Sequence, residues 1–434
     1  MLSTLRPLRM RAVMASLLTW VSRAARTGAK WMVAVDQATL AKTPSDTWAT
    51  RLAHRLSPRY AQCWLLMDRD TEAHDNAEHL YRYLHNRHPG INAWFVVRRG
   101  TSDYARLEAQ GWSLIAYGSW QHLLALTQCH ELISSQIDHY VMSPPWMWWL
   151  RRRPWYFTWL QHGVIQSDLS NWLAGKRVRT VVTTSPAEQA SLCQPPYTWT
   201  SREVVLTGMP RHDALVALAH ATEDDQRRFV VFMPTWRNWL LTGSGLSNAR
   251  QLIPHFAQSP YARNWLGLIN SDRLHDAAQR HGLHIVFMPH PNLAPFMEQM
   301  DVASGVTCMS YESDVQAVLA QASHVITDYS SNAFDAALID RPVLYFQFDA
   351  HEFLSGRHIG QTGYFDYERD GFDPVVTTVN QAVDALEDMM AQGIHPSAPY
   401  TDRISRTFPL RDGLCCQRVT EVIRGHRLEL DSEQ

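Results

Sequence analysis

Short apolar runs alternate with helix-like stretches along most of this chain, and this alternation limits the fold more than any other feature. Apolar runs of this length between amphipathic helices are typical of βαβ units with a parallel sheet. The first series indicates an α/β domain over residues 59–222, with helices at 76–86 and 104–110. Its predicted strands are 63–67 (CWLLM), 93–97 (AWFVV), 112–117 (WSLIAY), 131–135 (ELISS), 157–160 (FTWL), 179–184 (RTVVTT) and 203–208 (EVVLTG).

A polar, charged segment at 219–228 precedes a second series of the same kind, which indicates a second α/β domain over residues 223–434. A chain of 434 residues is too long for one hydrophobic core, which agrees with this division. We therefore predict two Rossmann-like domains facing across a cleft, the GT-B type of glycosyltransferase architecture. The second series has strands at 229–233, 284–288, 323–327 and 342–346, and helices at 271–281, 313–321 and 332–339.

Charge and cysteine content exclude two classes of function. The chain has 40 Lys and Arg residues against 42 Asp and Glu residues, so its formal net charge of −2 gives no general attraction for nucleic acid. The 6 cysteines form no C-x-x-C pair and no spacing with histidine that is typical of zinc sites. This cysteine usage fits a reducing cytoplasm.

Residues 1–58 form a basic N-terminal extension in this interpretation. Basic residues flank an uncharged stretch at 12–22, which predicts an amphipathic helix on a membrane surface. A secretory signal and a solvated basic tail remain open as alternatives. The basic residues before the first acidic one, Asp36, are Arg6, Arg9, Arg11, Arg23, Arg26 and Lys30.

Polar clusters follow the predicted strands, where open α/β sheets bind ligands. After 157–160 come Gln161, His162 and Gly163; the histidine is a candidate base, and the glycine allows a substrate to approach the backbone closely. A structural histidine is the alternative. After 229–233 come Thr235 and Arg237, and an arginine in such a loop can bind phosphate oxygens.

Two further clusters belong to the second domain. His290 stands between two prolines, which restricts its backbone and suits a catalytic group, although an ordinary turn has the same pattern. Asp328 ends strand 323–327, and Ser330 or Ser331 is a natural N-cap of the following helix. The start of that helix can bind a phosphate, and Asp335 can accept from a ribose hydroxyl. A plain capped helix would use the same residues.

With these segments taken together, the sequence resembles the CDP-glycerol glycerophosphotransferase family, which comprises bacterial teichoic-acid and capsule polymerases and primases. Residues 64–84 also look like the domain that precedes the transferase half in some members. Two positions depart from the family pattern: Asp373 replaces a usual glycine, and Met288 replaces a frequent arginine. The matching segments are 159–163 (WLQHG), 206–215 (LTGMPRHDAL), 233–237 (MPTWR), 288–292 (MPHPN), 326–349 (ITDYSSNAFDAALIDRPVLYFQFD) and 363–375 (GYFDYERDGFDPV).

The resemblance implies transfer of a polyol phosphate, most simply glycerol phosphate, from a CDP-activated donor to a hydroxyl group, with release of CMP. By this analogy His162 is the general base, and His290 stabilises or protonates the diphosphate side. Arg211 shapes the end of the first domain, and Asp335 binds the ribose. The full donor-binding set is Gly163, Arg211, Thr235, Arg237, Asp328, Ser330, Ser331 and Asp335.

The resemblance also implies the partners. They are CDP-glycerol or CDP-ribitol, a lipid-linked or polysaccharide acceptor, and a membrane surface, which predicts a cytoplasmic protein peripheral on the inner face of the membrane. Residues 144–159 combine Trp146, Trp148, Trp149 and Trp155 with Arg151–Arg153, a mixture suited to a bilayer interface, or else the tryptophans are buried. No acidic pair demands a metal, so we predict no obligatory metal or cofactor beyond the CDP-polyol substrate.

Two other functions stay open from the sequence. A nucleotide-sugar glycosyltransferase would use the same architecture, since fold alone does not separate the two reactions. A non-catalytic scaffold on the membrane surface is the third interpretation. The sequence also leaves open which polyol phosphate is transferred, whether one unit or a polymer is made, and the oligomeric state.

Overall fold

Parallel strands and the helices that connect them make up most of the described chain. The computed structural model describes residues 48–142, 144, 155–242, 251–310 and 313–432. The predicted amphipathic helix near residue 12 and most of the tryptophan-rich segment lie outside these residues. Up to residue 221 the elements are α1 (Trp48–Leu56), β1 (Trp64–Met67), α2 (Asn76–Arg87), β2 (Ala93–Val97), α3 (Ser102–Ala109), β3 (Leu114–Ala116), α4 (Trp120–Leu126), β4 (Glu131–Ser134), α5 (His139–Met142), β5 (Tyr156–Trp159), α6 (Ser170–Leu173), β6 (Thr180–Thr183), α7 (Pro186–Leu192), β7 (Val204–Leu206) and α8 (Pro210–Ala221).

The later elements follow the same alternation, which confirms the predicted α/β class with parallel sheets. They are β8 (Phe229–Phe232), β9 (Leu241–Thr242), β10 (Gln251–Leu252), α9 (Pro260–Ile269), α10 (Asp272–Arg280), β11 (His284–Phe287), β12 (Thr307–Cys308), α11 (Val315–Ala320), β13 (Ala322–Thr327), α12 (Asn332–Leu338), β14 (Val343–Phe346), α13 (Ala350–Leu354), α14 (Tyr367–Asp370), β15 (Val375–Val376), α15 (Val379–Gln392), α16 (Tyr400–Thr407) and α17 (Cys415–Ser432).

The described residues divide into two compact units. The first comprises those of Met1–Ala73, Tyr81–Trp159 and Arg177–Arg179, and the second comprises those of His74–Leu80, Leu160–Lys176 and Thr180–Gln434. Our assignment of an acceptor domain to 59–222 and a donor domain to 223–434 is a division by role, and it stays a prediction.

Each unit has parallel strands whose order reverses at a central strand. In the first unit the order is β3-β2-β1-β4-β5. In the second unit β6 pairs with β7, and six further strands have the order β12-β11-β8-β13-β14-β15. The point where such an order reverses is where open α/β sheets bind ligands. In the second unit it lies between β8 and β13, which precede the Thr235 and Asp328 loops.

Several strands in the interior of the sheets are buried along their whole length, which explains why their sequences are mainly apolar. β1, β4, β13 and β14 have every residue buried. Helices on both faces of a parallel sheet produce this pattern. In the second unit, Trp265 and Phe346 pack edge to face with ring centroids 5.2 Å apart in the core beside the sheet.

The structure corrects one part of the membrane prediction. Trp155, which we placed at a bilayer interface, is 7% exposed and belongs to the protein interior, so its ring is not available to lipid. Trp146, Trp148 and Trp149 lie outside the described residues. Within the ranges given above, no helix has both the length and the apolar character needed to cross a bilayer.

Asp373 is buried and accepts a hydrogen bond from the backbone N–H of Val343 at 2.8 Å. Burial raises the pKa of this carboxyl group, the Val343 hydrogen bond lowers it less, and the result is about 7. Because the folded-state pKa is higher than the unfolded one, ionisation opposes folding, and this cost grows as pH rises from about 4 to about 7.

We expect Asp373→Asn to stabilise the protein at pH 8 by about 2–4 kcal/mol relative to wild type, because the amide keeps the acceptor oxygen and carries no charge. The difference between the two free energies of unfolding should shrink towards zero as pH falls to about 4. Denaturant unfolding at several pH values measures it. The exposed Asp276→Asn variant is the control, and its free energy of unfolding should stay close to that of wild type at every pH. If the free energy of unfolding of Asp373→Asn also differs from wild type by an amount that does not change with pH, the prediction is wrong.

Candidate active site

The loop after β5 presents the His162 side chain to solvent on a firmly anchored backbone. Gln161 has a left-handed backbone with φ of 63° and is fully buried. Its side-chain amide donates to the Val182 carbonyl at 2.6 Å and to the Glu188 carboxyl at 3.0 Å, while its own carbonyl accepts from Asn76 at 2.9 Å. These bonds hold the unusual backbone turn, and the next side chain, His162, is 62% exposed.

Asp75 lies beside the His162 ring, with Oδ2 at 2.5 Å from Nδ1. Burial raises the pKa of Asp75, but the hydrogen bond and charge of His162 and the Arg211 guanidinium outweigh it and lower the pKa to about 2. The carboxyl group is therefore ionised near neutral pH and can only accept hydrogen bonds. Nδ1 of the ring must donate, so in the neutral ring Nε2 carries the lone pair.

Arg211, near the start of α8, joins this pair to a second carboxylate. Its Nη1 donates to Asp75 at 3.0 Å and to the His162 carbonyl at 2.7 Å, and its Nε donates to Asp335 at 3.0 Å. The buried His212 ring also bonds to Asp335, at 2.9 Å. Burial raises the pKa of Asp335, and the Arg211 and His212 interactions lower it further than burial raises it. Asp75 and Asp335, whose side chains are 12% and 2% exposed, thus both hold the Arg211 guanidinium, and the group fixes both the backbone and the ring partner of His162.

Gly163 packs against the loop that follows β13. A Cβ atom at this position would lie 2.1 Å from Oγ and 2.8 Å from Cβ of Ser331. Rotation of the serine can move its Oγ but cannot move its Cβ. The absence of a side chain at residue 163 is therefore what lets the His162 loop and the serine loop meet.

We expect Gly163→Ala to destabilise the protein by about 1–3 kcal/mol and to lower activity by about tenfold or more, because the two loops must separate. Thermal unfolding and nucleotide release measure the two effects. Gly90→Ala is the matched control, since nothing lies within 4 Å of a Cβ atom there. If Gly163→Ala and Gly90→Ala have the same stability and activity, the close contact at Gly163 contributes to neither.

The loop after β8 forms a second cluster around Arg237, whose side chain is completely buried. The guanidinium pairs with Asp328 at 2.8 Å and with Asp349 at 2.7 Å, and it donates to the Thr235 carbonyl at 2.6 Å. Burial lowers the pKa of Arg237, but the two carboxylates outweigh this and raise it. The Tyr329 ring lies 5.0 Å away. In this structure the predicted phosphate-binding arginine already has carboxylate partners, and its contact with a pyrophosphate stays a prediction.

His290 joins this cluster through an aromatic contact. Its ring centroid is 5.9 Å from that of Trp236, and its Nδ1 accepts from the backbone N–H of Asn292 at 3.2 Å. Trp236 also contacts His358 at 5.1 Å. Burial lowers the pKa of His358, the Arg237 charge adds to this, and the value is about 4. His358 is therefore a neutral ring near neutral pH.

The segment 327–335 connects the two clusters. Asp328 accepts from the backbone N–H of Thr235 at 2.9 Å, and the Tyr329 carbonyl accepts from Gln166 at 2.6 Å. The N-cap of α12 is Ser331 without a side-chain capping bond, whereas Ser330 Oγ accepts from the Asn332 N–H at 3.2 Å. Of the predicted site residues, the structure groups His162, Gly163, Arg211, Ser331 and Asp335 in one cluster, and Thr235, Arg237, Asp328 and, through Trp236, His290 in the other.

Asp335 has a contact that differs from the one predicted. Its carboxyl group is 2% exposed and binds the Arg211 guanidinium and the His212 ring, so its contacts in the structure are with protein side chains. The predicted bond to a ribose hydroxyl stays a prediction that these contacts do not support.

Sequence reasoning missed four side chains of the site. Asp75 and Asp349 follow the predicted strands 63–67 and 342–346, so the rule of polar residues after strand ends would have found both. His212 stands beside Arg211 in segment 206–215, which contributed to the family resemblance but was not considered for a histidine role. His358 had no signal in the sequence, because it joins the site only through ring contacts. Among the described residues, no group of three or more His, Cys, Asp or Glu side chains could hold a metal ion.

Comparisons with known proteins identify the family and the fold. The sequence model of the family described as CDP-Glycerol:Poly(glycerophosphate) glycerophosphotransferase matches residues 48–425. The minor teichoic acid biosynthesis protein GgaB of Bacillus subtilis (strain 168) is 29% identical over 377 residues, which cover 86% of this chain and 40% of GgaB. The teichoic acid ribitol-phosphate polymerase TarL of Staphylococcus aureus (strain NCTC 8325 / PS 47) is 25% identical over 241 residues, covering 52% of this chain and 37% of TarL. The chain thus spans about two fifths of the length of these curated relatives.

A solved structure of the wall teichoic acid polymerase TagF matches with a TM-score of 0.62 at 16% identity, covering 88% of this chain and 94% of that chain. This likeness concerns the fold and confirms the predicted GT-B type. The family match extends over most of the sequence, including every predicted site residue. The chain therefore belongs to the CDP-Glycerol:Poly(glycerophosphate) glycerophosphotransferase family.

Proposed function

We propose that the protein transfers a polyol phosphate from a CDP-polyol donor to a hydroxyl group of a growing surface polymer and releases CMP. The observation that carries the proposal is the exposed His162 ring, whose Nδ1 is bonded to the ionised Asp75 carboxylate. Family membership supports the same chemistry. Glycerol phosphate is the first candidate because the family description names it, and ribitol phosphate is the second because the relative TarL is described by it.

His162 acts as the general base in this proposal. Nε2 takes the proton of the acceptor hydroxyl, and the oxygen of that hydroxyl attacks the phosphorus that carries the polyol. A new bond forms between this phosphorus and the acceptor oxygen, the bond to the bridging oxygen of CMP breaks, and its electron pair leaves with CMP. The proton then passes from His162 to water. Asp75 holds the ring and stabilises its charged form, and Arg211 is a positioning residue that fixes Asp75 and the His162 carbonyl.

The donor occupies the loops after β8, β11 and β13 in this proposal. Thr235, Arg237, Ser330 and Ser331 surround the pyrophosphate, and His290 stabilises or protonates the departing CMP. The position of these loops at the reversal of strand order supports it, since ligands of open α/β sheets bind there. Arg237 can contribute by its charge, or directly if the donor displaces one of its two carboxylates.

The reaction needs no resident metal in this proposal. We expect nucleotide release to continue in the presence of EDTA. Loss of release that Mg²⁺ restores would overturn this part and leave the transfer itself in place.

The acceptor is lipid-linked or polymeric in this proposal, and the protein is peripheral on the inner face of the membrane. The support is the basic sequence of residues 1–58, which lies largely outside the described residues. Flotation of the full chain with anionic and with neutral vesicles tests it: the protein should float with the anionic vesicles only, and absence from both would contradict membrane binding.

A panel of donors tests the function. Purified protein is incubated with CDP-glycerol, CDP-ribitol, UDP-sugars and GDP-sugars, each with a membrane extract as acceptor, and the released nucleotide is measured. We expect CMP from one or both CDP-polyols and no nucleotide from the sugars. Release from a sugar nucleotide alone would instead identify a glycosyltransferase, and no release from any donor would favour the scaffold.

A further inference from the structure

A cavity of about 760 Å³ lies in the second compact unit, and none of the residues of the two clusters above lines it. This volume is within the range of sites that hold whole small molecules. Its walls come from α7, α14, α16 and the loops 194–197 and 362–365. The residues proposed above to bind the donor or to act as the base therefore give this cavity no function.

One wall carries two arginines without a carboxylate partner. Arg403 and Arg406 are three residues apart on α16 and so lie on the same side of the helix. Arg403 donates to the carbonyls of Glu368 and Gly371, both at 2.9 Å, and Arg406 donates to the Asp402 carbonyl at 3.3 Å. Within the described residues, neither arginine has an ion pair within 4.0 Å. Carbonyls satisfy N–H groups without cancelling charge, so both arginines keep their positive charge. The Arg369 hydrogen bond and, less strongly, the charge of Arg403 lower the pKa of the neighbouring Asp370.

The other charged side chains of the cavity are already bonded. Arg369 pairs with Asp370 at 2.8 Å, so these two charges cancel. Asp168 accepts from the Ser170 N–H at 2.8 Å, which satisfies an oxygen and leaves the negative charge, so the two arginines of α16 exceed the acidic charge of the lining by one. The remaining lining mixes apolar or aromatic side chains with uncharged polar ones. The first kind includes Ala187, Ala190, Pro195, Pro196, Tyr364 and Phe365, and the second includes Ser185, Ser191, Gln194, Thr362 and Thr407. The cavity therefore joins an arginine pair to a wall of uncharged side chains, some apolar and some able to form hydrogen bonds.

We infer that this cavity binds phosphodiester units of the polyol-phosphate acceptor. This rests on the proposed function, because it names the acceptor of that reaction. A polyol-phosphate chain has one negative charge per unit, separated by short carbon chains. Successive phosphates can bind Arg403 and Arg406 while the carbons pass over the prolines and alanines. A single inorganic phosphate would use only a small part of the volume.

The cavity shares structural elements with the His162 site. Phe334 of α12 lines the cavity, and the next residue, Asp335, binds Arg211. Asp168, which also lines the cavity, belongs to the segment that follows His162. A chain seated in the cavity thus lies against the elements that position the base, as expected for an acceptor whose free end is to react.

Direct binding tests the inference without any donor. Fluorescence anisotropy of the full chain is measured with a labelled oligomer of glycerol phosphate. We expect Arg403→Gln combined with Arg406→Gln to weaken binding by about tenfold or more. The exposed pair Arg263→Gln and Arg424→Gln is the charge-matched control and should bind like wild type. Ala190→Trp keeps every charge and fills the cavity, so it should also weaken binding.

Competitors identify the ligand. Unlabelled oligomer should displace the probe at a concentration about tenfold or more below that of glycerol 3-phosphate or inorganic phosphate. Equal competition by inorganic phosphate would overturn the assignment to a polymer. Unchanged binding in both the arginine variant and Ala190→Trp, with normal thermal unfolding, would overturn the site.

The same proteins separate this inference from the proposed function. If wild type binds the oligomer through the arginines but releases no CMP from any donor, only the proposed function fails. If wild type releases CMP and the arginine variant binds the oligomer as wild type does, only the inference fails. When both hold, the arginine variant should have a higher KM for the acceptor and an unchanged KM for the donor.

Discussion

Replacing His162 with Asn should lower CMP release from the preferred CDP-polyol by about 10²–10⁴-fold, because the acceptor hydroxyl then has no base. The effect should fall on kcat, with little change in donor KM, since the ring acts on the acceptor proton. The side chain is 62% exposed, so its loss removes little packing and the fold should persist. Steady-state assays of nucleotide release, together with thermal unfolding, measure both quantities.

The matched control for this variant is His220→Asn, which removes an exposed histidine from the last turn of α8. Its activity should equal that of wild type. A His162→Asn protein that folds normally and retains more than about a tenth of wild-type kcat would contradict the role of general base. The proposal would then require another group to accept the proton.

The positions of the longer strands followed from the sequence, because a strand buried on both faces of a parallel sheet is a short run of mainly apolar residues. Each predicted strand became a strand within one or two residues of its predicted ends, for example Phe229–Phe232 for 229–233. β9, β10, β12 and β15 were missed. Each of these has two residues, too few for an apolar run to be recognised.

The site was predicted less completely, for a different physical reason. Rules about strand ends name the residues that reach a given edge of a sheet, but they do not say which charges will pair there. Arg237 was expected to be open to phosphate, yet it pairs with Asp349, which lies 112 positions later in the chain. Such long-range pairing depends on tertiary packing, and the same is true of Arg211 with Asp335.

Arg211 illustrates what this pairing changes. The sequence analysis placed it at the end of the first domain and in the donor-binding set. In the structure it contacts Asp75, the His162 carbonyl and Asp335 together. A buried guanidinium between two carboxylates is held by both partners, since each accepts hydrogen bonds that the N–H groups of Arg211 would otherwise lose. The precision of the His162 position therefore depends on residues that are far apart in sequence, and Asp75 is the member that contacts the ring itself.

Asp75→Asn should lower kcat by about 10²-fold while leaving donor KM nearly unchanged. The asparagine can keep its oxygen towards Arg211, but its amide group then faces Nδ1 of His162 and donates to it. Nδ1 must accept, the ring proton moves to Nε2, and the lone pair that would take the acceptor proton is lost. Imidazole ¹⁵N spectra should report this change of tautomer for the signal that disappears in His162→Asn.

The tautomer separates this role from a merely structural one, because loss of stability alone does not exchange the protonated nitrogen. Some destabilisation is also expected, about 1–3 kcal/mol, since Arg211 loses one of its two carboxylates. Asp276→Asn, an exposed carboxyl-to-amide change on α10, should leave kcat, stability and the ¹⁵N spectrum of His162 as in wild type. If Asp75→Asn keeps the wild-type tautomer and nevertheless loses activity, Asp75 acts through the Arg211 charge balance and not by orienting the proton of His162.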